Sequence, residues 1–367
     1  MHSQLTRIRL AAVAALAIPA LAGAASPGSP AAAQTGSAQV VTAYVLNGGA
    51  VTPINTVTKK ALKQIPTGGS SFFMVITPNG KKVYVNGSDS SGDPLVLPIT
   101  TATNKPGTPI VVARNPSALG VTPDSTTLYI VDQDSNEVIA VSTATGHTVG
   151  FVPTGEAPVA IAITPNGASG YVADFGDLTV TPFTVATDAA GPAIKLGYAP
   201  ARFAVTPNSK TVYVDGAAST VTAICTATNK IVKRIQVGAG AGDMAITPNG
   251  KTAYVSTSAG VVPINTATKK AGPLIDIPGG DIAITPNGKT AYVAAGSGVV
   301  TPINTATNKA GKPITVGTNA NSIAITPHGK TAYVTSSQGV TPINIATNKA
   351  GKLIPVTGGA GLIVITP

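Results

Sequence analysis

Few residues of this chain could do chemistry, and those that could are scattered along it. Arg202, Asp243 and Asp281 share one offset, each standing five positions before the proline of a recurring Thr-Pro pair. An arginine with two carboxylates could hold a small polar ligand or a cation, or could supply acid–base chemistry. The simpler alternative is an Arg202–Asp243 ion pair beside a solvated Asp281. Asp132-x-Asp134-x-Asn136 opens like a calcium loop, but Glu137 stands where the sharp-turn glycine belongs and Thr143 where the bidentate glutamate belongs. His147 and His328 fall in separate turns, so no metal-ligand spacing is present and no metal is expected. Cys225, the only cysteine, has no disulfide partner and no histidine near it in sequence, and reads as a buried or half-buried thiol. The Gly-x-Ser-x-Gly elbow, the phosphate loop and the dinucleotide fingerprint are all missing, so neither a catalytic residue nor a cofactor is expected from motifs.

The elements that must position these residues are written in the composition. Charged residues make up 10% and aromatics 4%, against 40 Gly and 30 Pro in 367 residues. A hydrophobic share of 43% is too high for a disordered chain. Short β-branched segments punctuated by Gly and Pro predict an all-β protein. The string Thr-Pro-Asn-Gly-Lys-Thr-Ala-Tyr-Val occurs at 247–255 and 285–293, and at 326–334 with His328 in place of Asn. Eight of the nine tyrosines mark the same period, from Tyr44 to Tyr333 at spacings of 38 to 45 residues. A period near 40 with several strands per unit is that of a propeller blade.

Within one unit the sequence predicts an inner strand A (Ile282 to Thr285), a turn at Pro286-Asn287-Gly288, strand B (Thr290 to Ala294), strand C (Val299 to Asn304), a polar turn and strand D (Pro313 to Val316). Pro53, Pro98, Pro182, Pro263, Pro302 and Pro342 fall inside strand C, where each removes a donor, so strand C is expected to begin at the proline or to bulge there. The chain opens on a strand B (Val40 to Val45) and stops on a strand A (Gly361 to Pro367). The predicted fold is therefore a β-propeller of about eight four-stranded blades over residues 38–367, the first blade closed by the C-terminal strand. In that ring the position of Arg202, Asp243 and Asp281 circles one mouth of the channel, and successive blades supply the three.

The repeats resemble those of the YVTN-repeat β-propellers, in which a Pro-Asp/Asn-Gly turn precedes Tyr-Val and an Asn-Thr-Ala-Thr-Asn stretch follows, as at Asn304-Thr305-Ala306-Thr307-Asn308. The resemblance spans the chain after its leader and implies a fold; the matching residues are turn and packing residues and imply no activity. Residues 1–33 read as a signal peptide and short linker, because Arg7 and Arg9 precede an apolar run from Leu10 to Leu21 and an Ala-x-Ala site. The protein is expected to be secreted or extracytoplasmic, monomeric and not inserted in a membrane. Its net charge is +10, and the A–B and C–D turns carry most lysines, Lys210, Lys251, Lys289 and Lys330 among them, whereas most carboxylates sit on the opposite loops. The leading expectation is a non-enzymatic binding or scaffold module for an unknown protein, glycan or anionic polymer. Two alternatives stand beside it: an exported lactonase- or lyase-like enzyme working at the channel mouth, and a polyanion binder using the lysine face.

Overall fold

Each repeat begins with a turn that its sequence dictates. In the computed structural model, which describes residues 41–89, 91–112 and 114–367, Thr285 and Thr290 close the A–B turn with a backbone bond of 2.9 Å. Asn287 Oδ1 accepts from the Thr285 hydroxyl and from Lys289 N–H. Gly288 takes φ +69°, a left-handed conformation that suits glycine. The turn sends the chain back antiparallel, and repetition gives sheets in the order A-B-C-D. Every regular element among the described residues is a strand, in eight sheets. The expected leader lies outside the described residues.

The A strands form the inner ring: Met74–Ile76, Pro116–Val121, Pro158–Ile163, Pro200–Val205, Met244–Ile246, Asp281–Ile284, Ile323–Ile325 and Ile363–Ile365. Each packs on the next and the last packs on the first, so the ring is closed. Blade 1 is composite. Its inner strand is Ile363–Ile365, paired with Thr42–Leu46 through Ala43↔Ile365 and Val45↔Ile363. Blades 2 to 8 follow in chain order.

The repeated tyrosines join blade to blade. All eight rings are at most 1% exposed, and burying each contributes about 2 kcal/mol of transfer free energy. The buried hydroxyl must also find an acceptor, and seven of the eight do so in the C–D turn of the following blade. Tyr44 donates to Asn104 Oδ1 at 2.6 Å, Tyr171 to Asn229 at 2.7 Å, Tyr254 to Asn308 at 2.6 Å and Tyr292 to Asn348 at 2.6 Å. Asp188 fills that place for Tyr129. Where the turn residue is Lys59 or Lys269, the tyrosine bonds the carbonyl of Thr56 or Thr266 instead. Tyr84 faces the turn where the same position is Gly146, which has no side chain to accept; Lys82 Nζ reaches Thr143 O there.

The strand C prolines correct one expectation. Each lies mid-strand in unbroken register opposite its tyrosine, as in Tyr84↔Pro98 and Tyr292↔Pro302. The interruption falls in strand D. The proline carbonyl accepts from strand D (Gly107 N–H to Pro98 O, 2.7 Å), so the missing donor points the same way, and strand D is broken there. Blades 3 and 5 have Ala140 and Ala223 opposite the tyrosine, and only these two have a continuous strand D, Thr148–Pro153 and Lys230–Gln236. Both continuous strands carry a bulge, with Pro153 ending one and Lys230, Lys233 and Arg234 on the other. Every outer edge thus has a feature that discourages edge-to-edge pairing.

The tyrosine latch makes a graded prediction. Tyr292→Phe should lower the unfolding free energy by about 1 kcal/mol, whereas Tyr84→Phe should leave it unchanged. Gly146→Asn, at a left-handed position asparagine tolerates, should add a latch for Tyr84 and raise stability. Urea unfolding midpoints of the three variants check this; equal losses for both tyrosines would refute it.

Candidate functional site

At the channel mouth the inner strands place their first core-facing residue opposite the second residue after the strand B tyrosine. Arg202 pairs with Asp215, Asp281 with Ala294, and Asp243 accepts Ser256 N–H on its carbonyl at 2.8 Å. In blades 3, 4 and 5 the register shifts just before this position, between Pro116 and Ala118, Pro158 and Ala160, and Pro200 and Arg202. The three residues expected at one mouth do come from the inner strands of blades 5, 6 and 7.

The two aspartates reach sideways. Asp243 Oδ2 accepts the backbone N–H of Ile282 in blade 7 at 2.7 Å, and Asp281 Oδ2 accepts that of Ile323 in blade 8 at 2.7 Å. Each carboxyl influences the proton affinity of the other. Both are half-buried. Burial, and then the negative charge of Asp243, hold Asp281 well above the ordinary carboxylate range. Asp243 is raised as well by burial, opposed by the Ile282 N–H, the bond to Asp281 and the Arg202 charge. Burial and the mutual repulsion of two neighbouring negative charges both work against ionising the two carboxyls together.

Asp281 is therefore not the solvated side chain of the simpler alternative. Arg202 is half-buried and acts through its field, lowering both Asp243 and Asp215. Asp215 is a fourth member that escaped the sequence reading. It is fully buried, neither carboxylate oxygen has a hydrogen-bond partner, and burial raises it to about 7. Aligning the second residue after each tyrosine would have exposed it, because Leu46, Val131, Ala173 and Ala294 hold that place elsewhere.

The other candidates go elsewhere. Asp132 is the hub of its own loop, accepting the backbone N–H groups of Asn115, Asp134 and Ser135 and the Ser135 hydroxyl. His147 and His328 are exposed on turns of the lysine face. Cys225 is half-exposed at the end of strand C, where the Thr228 hydroxyl and nearby N–H groups hold its thiol below the usual value. Lys210, Lys251, Lys289 and Lys330 are exposed, one per blade on blades 5 to 8. The backbone N–H groups of the first three donate to the turn asparagine at 3.0 Å.

No protein-family model and no curated protein matches the chain. Solved structures do. The chain is similar to a propeller of Kuenenia stuttgartiensis Hydrazine Synthase (21% identity over 79% of this chain and 96% of that one, TM-score 0.58). It is also similar to the dihydro-heme d1 dehydrogenase NirN in complex with DHE (13% identity, 91% of this chain and 77% of that one, TM-score 0.76). At these identities the likeness shows the fold. It also overturns the expectation of a non-enzymatic scaffold, which rested on missing motifs, because propellers of this architecture include a synthase and a dehydrogenase by name. The physical reason is that a mouth site takes one residue from each blade and leaves no local signature in sequence.

A raised buried carboxyl has a signed consequence. Between about pH 4 and pH 7 the folded protein binds more protons at Asp215 than the unfolded chain does, so unfolding free energy falls as pH rises through that window. Asp215→Asn should raise the urea midpoint at pH 8 and flatten its change from pH 5 to pH 8. An identical pH profile in the variant would show that Asp215 is ionised throughout.

Proposed function

We propose that this protein is an enzyme whose chemistry takes place at the channel mouth formed by blades 5 to 7. The observation that carries the reading is the pair Asp243–Asp281, each carboxyl fixed on a backbone N–H of the next blade and raised above its ordinary range, with the charge of Arg202 close by; in this reading one member works ionised and the other protonated. A carboxylate and a carboxylic acid held side by side are a base and an acid ready at one pH. The ionised member takes a proton from a water attacking a carbonyl carbon. The protonated member returns a proton to the departing oxygen, and Arg202 stabilises the negative charge that develops on the carbonyl oxygen. The net reaction adds one water across an ester bond, which suits ring opening of a small lactone. The repeat chemistry shared with YVTN-repeat propellers and the leader-like residues 1–33 support a secreted or extracytoplasmic setting and membership of that group.

The dehydrogenase that shares the fold carries heme d1 in its name, but the mouth does not suit a haem iron. Iron takes His, Cys, Met or Tyr as axial ligand. Among the described residues the two histidines and Cys225 lie on turns of the lysine face, and Met74 and Met244 are buried in the packing between blades. The Tyr198 hydroxyl is bonded to Val214 O and Thr222 Oγ1. The mouth residues offer carboxyls and a guanidinium, and no step here runs through a haem.

A panel of small lactones assayed across pH 5 to 9 tests the reading. Asp243→Asn and Asp281→Asn should each lower kcat/KM at least about a hundredfold, the general acid–base contribution, with unfolding midpoints near that of the parent. Arg202→Gln should lower kcat. Turnover that survives both aspartate replacements would remove the chemistry from this mouth.

A further inference from the structure

The same end of the ring carries a second cleft, between blades 2 and 3, that shares no residue with the acid pair. Its volume is about 280 Å³, and it is bounded by Phe72, Phe73, Asn86, Arg114, Asn115 and Gln133. The chain has six phenylalanines and no tryptophan, yet Phe72 stands 64% exposed here. Its backbone is fixed. Asn86, buried at 5%, accepts the N–H groups of Phe72 at 2.9 Å and Phe73 at 2.7 Å on Oδ1. Asparagine occurs at this place in the repeat in blade 2 alone; other blades have apolar residues, Thr, Ser or Asp215. Folding alone does not require an aromatic ring to be held out to solvent on a buried asparagine.

The polar groups around that ring are donors in search of an anion. Asn86 is part of the cleft wall, and with its Oδ1 engaged by two N–H groups the group it has left to offer is its amide NH₂. Arg114 is exposed, and Gln133 is half-buried with its backbone N–H tied to Asn115 O at 3.0 Å. Of the carboxylates near this wall, Asp132 is engaged by four donors, Asp134 by Asn115 Nδ2 at 3.2 Å and Asp89 by the backbone N–H groups of Ser91 and Asp93, while Asp93 itself is exposed at the rim beside Pro94. A guanidinium recognises a carboxylate through two parallel bonds, an exposed phenyl face stacks on a flat ring face, and planar amides pair with hydroxyls. The volume admits one six-membered ring with its substituents.

We propose that this cleft is a binding site for a small ring-bearing carboxylate, its acid group on Arg114 and its ring against Phe72. The ring chemistry has two sources, a sugar acid or a hydroxylated aromatic acid. Glucuronate and 4-hydroxybenzoate serve as probes, with glucose and acetate as controls lacking the acid and the ring respectively. Binding to the full chain is followed by calorimetry and by saturation-transfer NMR. At least one ring acid should bind more tightly than both controls. Arg114→Gln should weaken it by about tenfold or more, as loss of a charged hydrogen bond does. Phe72→Ala should weaken it too, with Phe72→Leu as a milder second variant should the first unfold. The preferred acid identifies the ring. Asp281→Asn should leave this binding unchanged, which separates the cleft from the acid–base mouth whatever the fate of that reading. Equal binding of acetate, no binding of either ring acid, indifference to Arg114→Gln, or loss of binding in Asp281→Asn would each overturn the proposal.

Discussion

Closure of the ring is the constraint on which everything else rests. A blade of this protein has two apolar faces, and each repeated tyrosine is covered by the blade after its own. No blade could therefore be stable alone, and an open row of eight would leave one face bare at each end. The strand Ile363–Ile365 removes both ends at once by pairing with Thr42–Leu46. Thr42 and Thr366 fasten the seam reciprocally, through Thr366 N–H to Thr42 O at 3.0 Å and Thr42 N–H to Thr366 Oγ1 at 2.9 Å. Tyr333 then bonds Thr56 across the seam as the other latches bond across ordinary junctions.

Closure also fixes the mouth. The Asp243 and Asp281 carboxylates each cap a backbone N–H of the following inner strand. Their positions are thus set by the spacing of blades, which the ring determines, and not by flexible loops. This is the rigid support an acid–base pair needs, because proton transfer demands fixed hydrogen-bond geometry. Each of these backbone bonds uses Oδ2.

What the sequence could disclose follows from the range of each interaction. The A–B turn is fixed within six residues, from Thr285 to Thr290, and Thr-Pro-Asn-Gly announces it directly. The period counts the blades, and the unmatched final strand implies the seam. The latch from Tyr292 to Asn348 spans 56 residues and that from Tyr44 to Asn104 spans 60. Its two ends belong to different repeats, so the turn asparagine reads only as turn chemistry. The strand C prolines were visible, but their effect was assigned to the wrong strand. In an antiparallel ladder a residue's N–H and C=O face the same neighbour, and that neighbour is strand D. Asp215 stayed hidden because its meaning lies in its register partner, Arg202 on the inner strand, which only the folded blade places opposite it.

Blade 5 is where the repeat departs furthest from its own pattern. It has Ala223 in place of the proline, Cys225 in place of the asparagine, the extra Tyr198, Arg202 at the mouth, and Asp215 where every counterpart is uncharged. The first two departures cost little: strand D becomes continuous, and the thiol takes over turn bonds. Asp215 is different in kind. A fully buried carboxyl with no hydrogen bond destabilises the fold, and the alanine or valine of sister blades would avoid that. Arg202 offsets part of the burden from the opposite register position. Arg202 is itself half-buried, at a place where other blades hold Ala118, Ala160 or Ser322. Neither residue is explained by the stability of the ring. Both become intelligible if the guanidinium must be held at the mouth beside Asp243 and Asp281, with Asp215 in register opposite it. A repeat protein can omit such a pair wherever packing alone decides the residue, and seven of the eight blades do.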